Sequence, residues 1–340
     1  MKRGNLSGEQ REMQRHIVRL ALPNIVSNIT VPLLSLVDVG LAGHLESGNA
    51  IGAVAIASGS LNTLYWLFGF LRMGTTGYVA QSFGRSDVRR INLYLVRGLF
   101  MALVFGVLLT FATPLVTAFA HFMAQNERGI GCEAEGYIHI ALLGAPAALA
   151  LYVLNGWFIG MQNTRAPMAT AIFINVLNKA ISYSLVTFGG RGVDGLATGT
   201  VVAQYAGVLL LCGVALIKYR RLLRFARITD AFSTEHLGEF LSTGRDIFVR
   251  SLLLSAVTLF FTYASVGEGA LTVAANTVLL QLFSLFSYFT DGFAYAAEAL
   301  TGRYLGQKRE DKLRMMVRMV FRIAFVTTLA TTMLYFFLPK

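Results

Sequence analysis

Read by polarity alone, the chain alternates long apolar runs with short polar ones, the runs falling at roughly 17–45, 50–80, 92–120, 135–160, 166–188, 194–217, 246–267, 270–302 and 315–338. A helix needs about 20 apolar residues to cross the hydrocarbon core of a bilayer. The pattern therefore predicts nine transmembrane helices, an odd number that leaves the two chain ends on opposite faces. The longest interior polar stretch, Lys218 to Arg245, separates six of these helices from the last three.

Composition agrees with that reading. Hydrophobic residues make up 55% of the 340 and charged residues 14%, with a mean hydropathy of +0.59, whereas soluble domains carry about 25% charged residues. An all-α integral membrane protein is the predicted fold class. Basic residues orient it, because cytoplasmic loops are enriched in Lys and Arg. With the N-terminus inside, 24 of the 29 Lys and Arg fall on the cytoplasmic face, while Arg128, Arg191 and Lys340 fall outside and Arg72 and Lys179 lie at membrane depth. One miscounted helix would scramble that asymmetry. The net charge of +11 is thus a topology signal and an affinity for anionic lipid headgroups, not a nucleic-acid footprint. The first sixteen residues are polar and the run after them exceeds a signal-peptide core, so no cleavable leader is expected. Cys132 is expected in an outer loop and Cys212 in the sixth span, too far apart for a disulfide.

The chain also repeats. The second run ends YVAQSFGRSDVRR (78–90) and the eighth TGRYLGQKREDKLR (301–314), with Gly84 matching Gly306 at a separation of 222. A basic loop and a further apolar run follow in both places. The two halves enter from the same side, so they are parallel repeats related by an axis along the membrane normal. The expected organisation is a first lobe of six helices over 1–217, a cytoplasmic linker over 218–245, and a partial second lobe of three helices over 246–340.

Ionisable groups at membrane depth are the functional candidates, since a charge at the bilayer centre costs roughly 2.5 to 3.5 kcal/mol on insertion scales. Asp38 stands in the first run, where the only other charge is Arg19 at the entry. Helix breakers and polar groups surround it: Pro23, Asn24, Asn28, Pro32, Ser35, Gly40 and Gly43. Such groups are tolerated where they face protein or a watery cavity. Asp291 and Glu298, seven residues apart, share one face of the eighth helix, with Arg72 of the second as a partner. They are expected to form either a second-lobe proton or cationic-substrate site, or a buried ionic lock between lobes. Asn24, Asn28, Asn175, Asn178, Tyr183 and Gln204 are expected to line the first lobe.

The stretches SNITVPLLSLVDVGLAGHL (27–45), FGFLRMGTTGYVAQSFG (68–84), GRDIFVRSLLL (244–254) and TDGFAYAAEALTG (290–302) resemble the multidrug and toxic compound extrusion (MATE) family, specifically its DinF-like bacterial branch. The resemblance implies a MATE-type two-lobe transporter fold of twelve helices about a central cavity, in the bacterial cytoplasmic (inner) membrane. It implies export of small organic compounds, cationic or amphipathic, by proton or sodium antiport with alternating access. By resemblance, Asp38 is the coupling acid of the first helix and Pro23 the hinge of that helix. Two departures stand out. Nine of the twelve helices are present, about three of the second lobe being absent from this sequence, and no transport is expected from nine alone. In the fifth helix, where the branch resembles N-x-x-N-x-x-x-D, this chain has Asn175, Asn178 and Ser182, with Lys179 beside Asn178.

An antiporter needs a titratable group whose proton affinity follows hydration and neighbouring charge, and Asp38 has that chemistry. Lys179 is expected either to pair with Asp38 or to extend along its own stem toward the cytoplasmic face. If it pairs, its fixed charge repels sodium, which makes H+ the better coupling ion than Na+. No other cofactor, metal or obligatory protein partner is expected. A flippase for lipid-linked oligosaccharides shares the two-lobe plan, but would want a strongly basic cavity, and only Arg72 and Lys179 lie at depth. An enzyme is not expected: His16, His44, His121, His139 and His236 are scattered, and HExxH, GxSxG and P-loop motifs do not occur. The 25 Phe and 11 Met suit an adaptable drug cavity and lipid-facing helices equally.

Overall fold

The computed structural model describes the backbone of residues 2–43, 48–124, 128–232, 237–267 and 270–337; side chains within these are described except at 2–7, 31–43, 128, 228, 231, 259, 262, 263, 265–267, 270–274, 277 and 278. The first half comprises α1 (Lys2–Gly43), α2 (Ala50–Leu67), α3 (Phe70–Gly84), α4 (Val88–Phe111), α5 (Thr113–Met123), α6 (Arg128–Leu142), α7 (Ala145–Gly160), α8 (Arg165–Thr187) and α9 (Gly192–Lys218). A short helix, α10 (Arg220–Leu223), and a 3-10 turn (Ile228–Phe232) lead to α11 (Leu237–Gly267), α12 (Ala270–Gly306) and α13 (Glu310–Phe337). Every apolar run of the sequence coincides with one of these helices or with a broken pair. Proline starts the second member of two pairs, at Pro114 in α5 and Pro146 in α7, positions where its missing N–H is no loss. α6 and α7 meet at a bend of 53°.

Among the described residues five segments are long and apolar enough to cross a membrane, Ala50–Gly84, Val88–Phe111, Arg165–Thr187, Gly192–Lys218 and Glu310–Phe337, and the bent pair makes a sixth. α1, α11 and α12 are helices of 42, 31 and 37 residues, each of which contains side chains outside those described.

The repeat appears in the backbone. Ser86 and Lys308, again 222 apart, both adopt a left-handed φ of 57°. At each, the N–H three residues beyond the helix reaches back to a carbonyl: Asp87 to Ser82 at 2.9 Å, Arg309 to Tyr304 at 3.0 Å. This is the Schellman way of satisfying the last carbonyls of a helix. α7 ends identically, with Gln162 at φ 61° and Asn163 bonded to Phe158. All three turns lie at the end of the bundle that carries the basic loops.

Packing is crossed between the halves. One core runs through α2 to α9, centred on fully buried Trp157, Phe158, Leu149 and Leu154. The other joins α1 to the second half, placing Met13, Ile17, Leu20, Ala21 and Ile25 against Ala296, Leu300 and Tyr304 of α12 and Met316 of α13. α11 does the reciprocal thing: Phe240 packs against Tyr78 of α3 (5.6 Å) and Tyr94 of α4 (6.2 Å). The 222-residue register maps Tyr78 to Leu300 and Tyr94 to Met316. Each half thus lends its first helix to the other, and the joint is repeated in kind.

Candidate functional site

Two polar regions occupy the interior. The first is the seam between α3 and α12. Small residues let membrane helices approach until backbones touch. Here a Cβ at Gly84 would run into the Arg303 carbonyl, one at Gly306 into the Gln81 carbonyl, and one at Gly302 would lie 2.6 Å from the Ala80 Cβ. Further along the same seam, Arg72 Nη1 lies 3.4 Å from Glu298 Oε2, with side chains 12% and 23% exposed. The Arg72 guanidinium stacks over the Tyr295 ring at 3.9 Å. Asp291 is near enough to add to the negative field at Arg72. Of the two acids singled out in the eighth span, Glu298 makes the ion pair across the halves.

Sequence reasoning missed three participants. Arg250 of α11 donates to Met73 Sδ at 3.6 Å and adds to the positive field at Glu298, which thus faces two bases. Tyr295 supplies the ring beneath Arg72. Gln162, in the left-handed turn after α7, donates from Nε2 to the Ala299 carbonyl at 2.9 Å. Only Arg250 carried a usable signal, a charge close to an apolar run.

The second region is a ladder of neutral groups on α1, α8 and α9. Asn175 Nδ2 donates to Thr30 Oγ1 at 3.2 Å and Asn178 Nδ2 to Thr200 Oγ1 at 3.0 Å. Ser182 is fully buried, and its Oγ has no hydrogen-bond partner among the described residues. A Cβ on Gly199 would strike that oxygen. α8 and α9 approach so closely there that the space admits a hydroxyl and little more. Lys179 is half-buried on the adjoining turn of α8.

Asp38 lies within the helical span of α1, but its side chain is outside the described residues, as are those of Pro32 and Ser35, and the surroundings of Gly40 and Gly43 are outside them too. His44 is also outside them. Backbone register still fixes its depth. α1 and α8 run in the same direction, and the Thr30–Asn175 bond aligns them. At 1.5 Å per residue, position 38 lies about 12 Å beyond Thr30 and Ser182 about 10 Å beyond Asn175. Position 38 and Ser182 therefore share a level.

The remaining candidates are dispersed. Pro23 is buried in α1, which passes through it as one continuous helix. Asn24 is buried and returns its amide to the Leu20 carbonyl at 3.0 Å, within its own helix. Asn28 donates to the Tyr288 carbonyl of α12 at 3.2 Å, joining the halves. Tyr183 is half-exposed with its ring edge-on to Phe188. Gln204 sits at the α6–α7 bend, its Oε1 against Gly144 and without a hydrogen-bond partner among the described residues.

Residues 23–184 and 247–340 match the MatE family model. The chain is 36% identical over 321 residues to DNA damage-inducible protein F of Escherichia coli, covering 93% of this chain and 69% of that one. It is 23% identical to a probable multidrug resistance protein NorM of Thermotoga maritima, covering 97% and 71%. A solved structure described as the outward-facing conformation of a multidrug resistance MATE family transporter of the MOP superfamily superposes with a TM-score of 0.84 at 22% identity, over 96% of this chain and 72% of that one. A MOP superfamily transporter from Pyrococcus furiosus gives 0.82 at 23%, over 94% and 70%. At those identities the structural likeness concerns the fold, which is the two-lobe transporter fold.

Proposed function

Since the chain belongs to the MatE family, we propose that it is a secondary multidrug exporter of the cytoplasmic membrane, moving small organic compounds outward in exchange for protons taken up at Asp38. The family consists of transporters rather than enzymes. On the positive-inside rule the end of the bundle with the basic loops is cytoplasmic, and the N-terminus with it. The charged, glycine-packed seam then closes the cytoplasmic side, and a cavity between the lobes would open outward.

The shared depth of position 38 and Ser182 is the observation that carries proton coupling. A sodium site wants several oxygen ligands with net negative charge. Among the described residues this part of the ladder supplies a buried hydroxyl, with neutral amides and the Lys179 cation on the preceding turns of α8. That set suits a carboxyl that gains and loses a proton as the site dries and floods. The Gly199 backbone against Ser182 leaves no room for a second acid.

The test is efflux from vesicles holding a twelve-helix form of the protein, driven in turn by an imposed proton or sodium gradient. Asp38→Asn should lower proton-driven efflux by at least about tenfold, roughly the effect of 1.4 kcal/mol on a coupling equilibrium. Efflux that follows only the sodium gradient, or that survives the substitution, defeats the assignment.

A further inference from the structure

The segment between α9 and α11 folds back on α4 instead of hanging free. Asn92 of α4 is fully buried and donates from Nδ2 to the Leu222 carbonyl at 2.8 Å, and Phe232 packs on Phe100 with ring centroids 5.0 Å apart. Between them lies a cavity of about 550 Å³, lined by Val88 and Arg89 at the start of α4 and by Arg224, Phe225, Arg227 and Asp230 of the segment. Three guanidiniums thus converge on one hollow. The single carboxylate is engaged locally, since Asp230 accepts from the Arg227 N–H at 3.4 Å and closes the turn. The lining thus has three guanidiniums to one carboxylate.

Two observations point to what enters. Guanidiniums bind phosphate oxygens in pairs and with fixed geometry, so the hollow selects a phosphate-like anion. Its surroundings are greasy: Phe225 is 66% and Phe232 71% exposed, and α4 continues away from the cavity with exposed Phe100, Leu103 and Val104. An apolar helix face open to its surroundings is where lipid tails lie. A site with basic groups at headgroup level and an apolar slope beneath it matches a phospholipid and not a soluble anion.

We propose that this cavity binds the phosphodiester headgroup of an anionic phospholipid in the leaflet at the basic end, with the acyl chains lying along α4. The lipid pins the segment that joins the two halves. The inference stands on this cavity and on the orientation of the bundle, and is independent of the coupling ion.

The protein in detergent is titrated with phosphatidylglycerol, and separately with phosphatidylcholine, and bound lipid is counted by native mass spectrometry. The pair Arg224→Gln/Arg227→Gln should weaken phosphatidylglycerol binding about thirty-fold, and Arg224→Gln alone about fivefold, taking each basic group near an anionic lipid at its usual strength. The pair Arg220→Gln/Arg221→Gln removes the same charge from α10, outside the cavity lining, and should change binding by less than about threefold. Equal loss from both pairs would mean diffuse attraction and would overturn the site. So would phosphatidylcholine binding as well as phosphatidylglycerol, or millimolar inorganic phosphate displacing the lipid, which would indicate a soluble anion instead.

Discussion

The α3–α12 seam and the α1–α8–α9 ladder lie in one bundle but solve the burial of polar groups in opposite ways. The seam sets backbone against backbone and places a charged pair, Arg72 and Glu298, between the halves. The ladder joins neutral amides to hydroxyls, Asn175 to Thr30 and Asn178 to Thr200. A buried ion pair adds little net stability, because the attraction roughly repays the hydration lost. The same balance makes it easy to part when water enters. On the alternating-access reading proposed above, the seam is the contact that would open and reclose, and the ladder the one that would stay formed.

Removing one charge from the seam should have the largest effect. Arg72→Leu strands Glu298 in a dry site, and breaking a buried pair from one side costs about 3 to 5 kcal/mol. Arg72→Leu/Glu298→Leu should recover most of that loss. Thermal melts in detergent, arranged as a double-mutant cycle, measure both. Equal destabilisation by the single and double variants would show that the two side chains are not coupled, and the seam would reduce to glycine packing.

The glycines come next. Gly84→Ala drives a methyl group into the Arg303 carbonyl, which cannot rotate away, and overpacking of this kind costs about 1 to 3 kcal/mol. Gly77, two turns earlier on α3, has nothing within 4 Å of where a Cβ would stand. Gly77→Ala should therefore stabilise by about 0.5 to 1 kcal/mol, the ordinary gain of alanine over glycine inside a helix. Opposite signs in melting temperature are the expected result. A loss at both positions would mean that the seam is tighter along its whole length than these contacts indicate.

Much of this was legible in the residues because membranes make length and charge speak plainly. The spans follow from apolar run length, and the repeat from Gly84 and Gly306, whose turns share backbone geometry down to the left-handed Ser86 and Lys308. Arg72 and Glu298 stood out as ions at depth. Arg250 did not, because at the start of the seventh apolar run it counts as one more cytoplasmic basic residue, whereas α11 begins at Leu237 and places it well inside a helix. The break between α2 and α3 and the 53° bend between α6 and α7 were hidden by uninterrupted apolarity. Asn24 and Asn28 show the remaining limit. Composition marks them as polar at depth, but only packing decides that one turns back on its own helix and the other reaches α12.

The smallest effect on stability falls in the ladder and separates the two regions best. An interhelical hydrogen bond in a membrane protein is worth about 0.6 kcal/mol, so Asn178→Ala should barely move the melting temperature. Too little folded protein would be lost to alter efflux measurably. If the ladder only holds α8 to α9, transport should therefore stay near that of the unmodified protein. If it also tunes the carboxyl at position 38, transport should fall several-fold and its pH dependence should shift, because an amide that donates to or accepts from the acid changes which protonation state is favoured. In the seam, stability and transport should decline together; in the ladder they should part. Matched losses at Asn178 would make the ladder a packing device like any other.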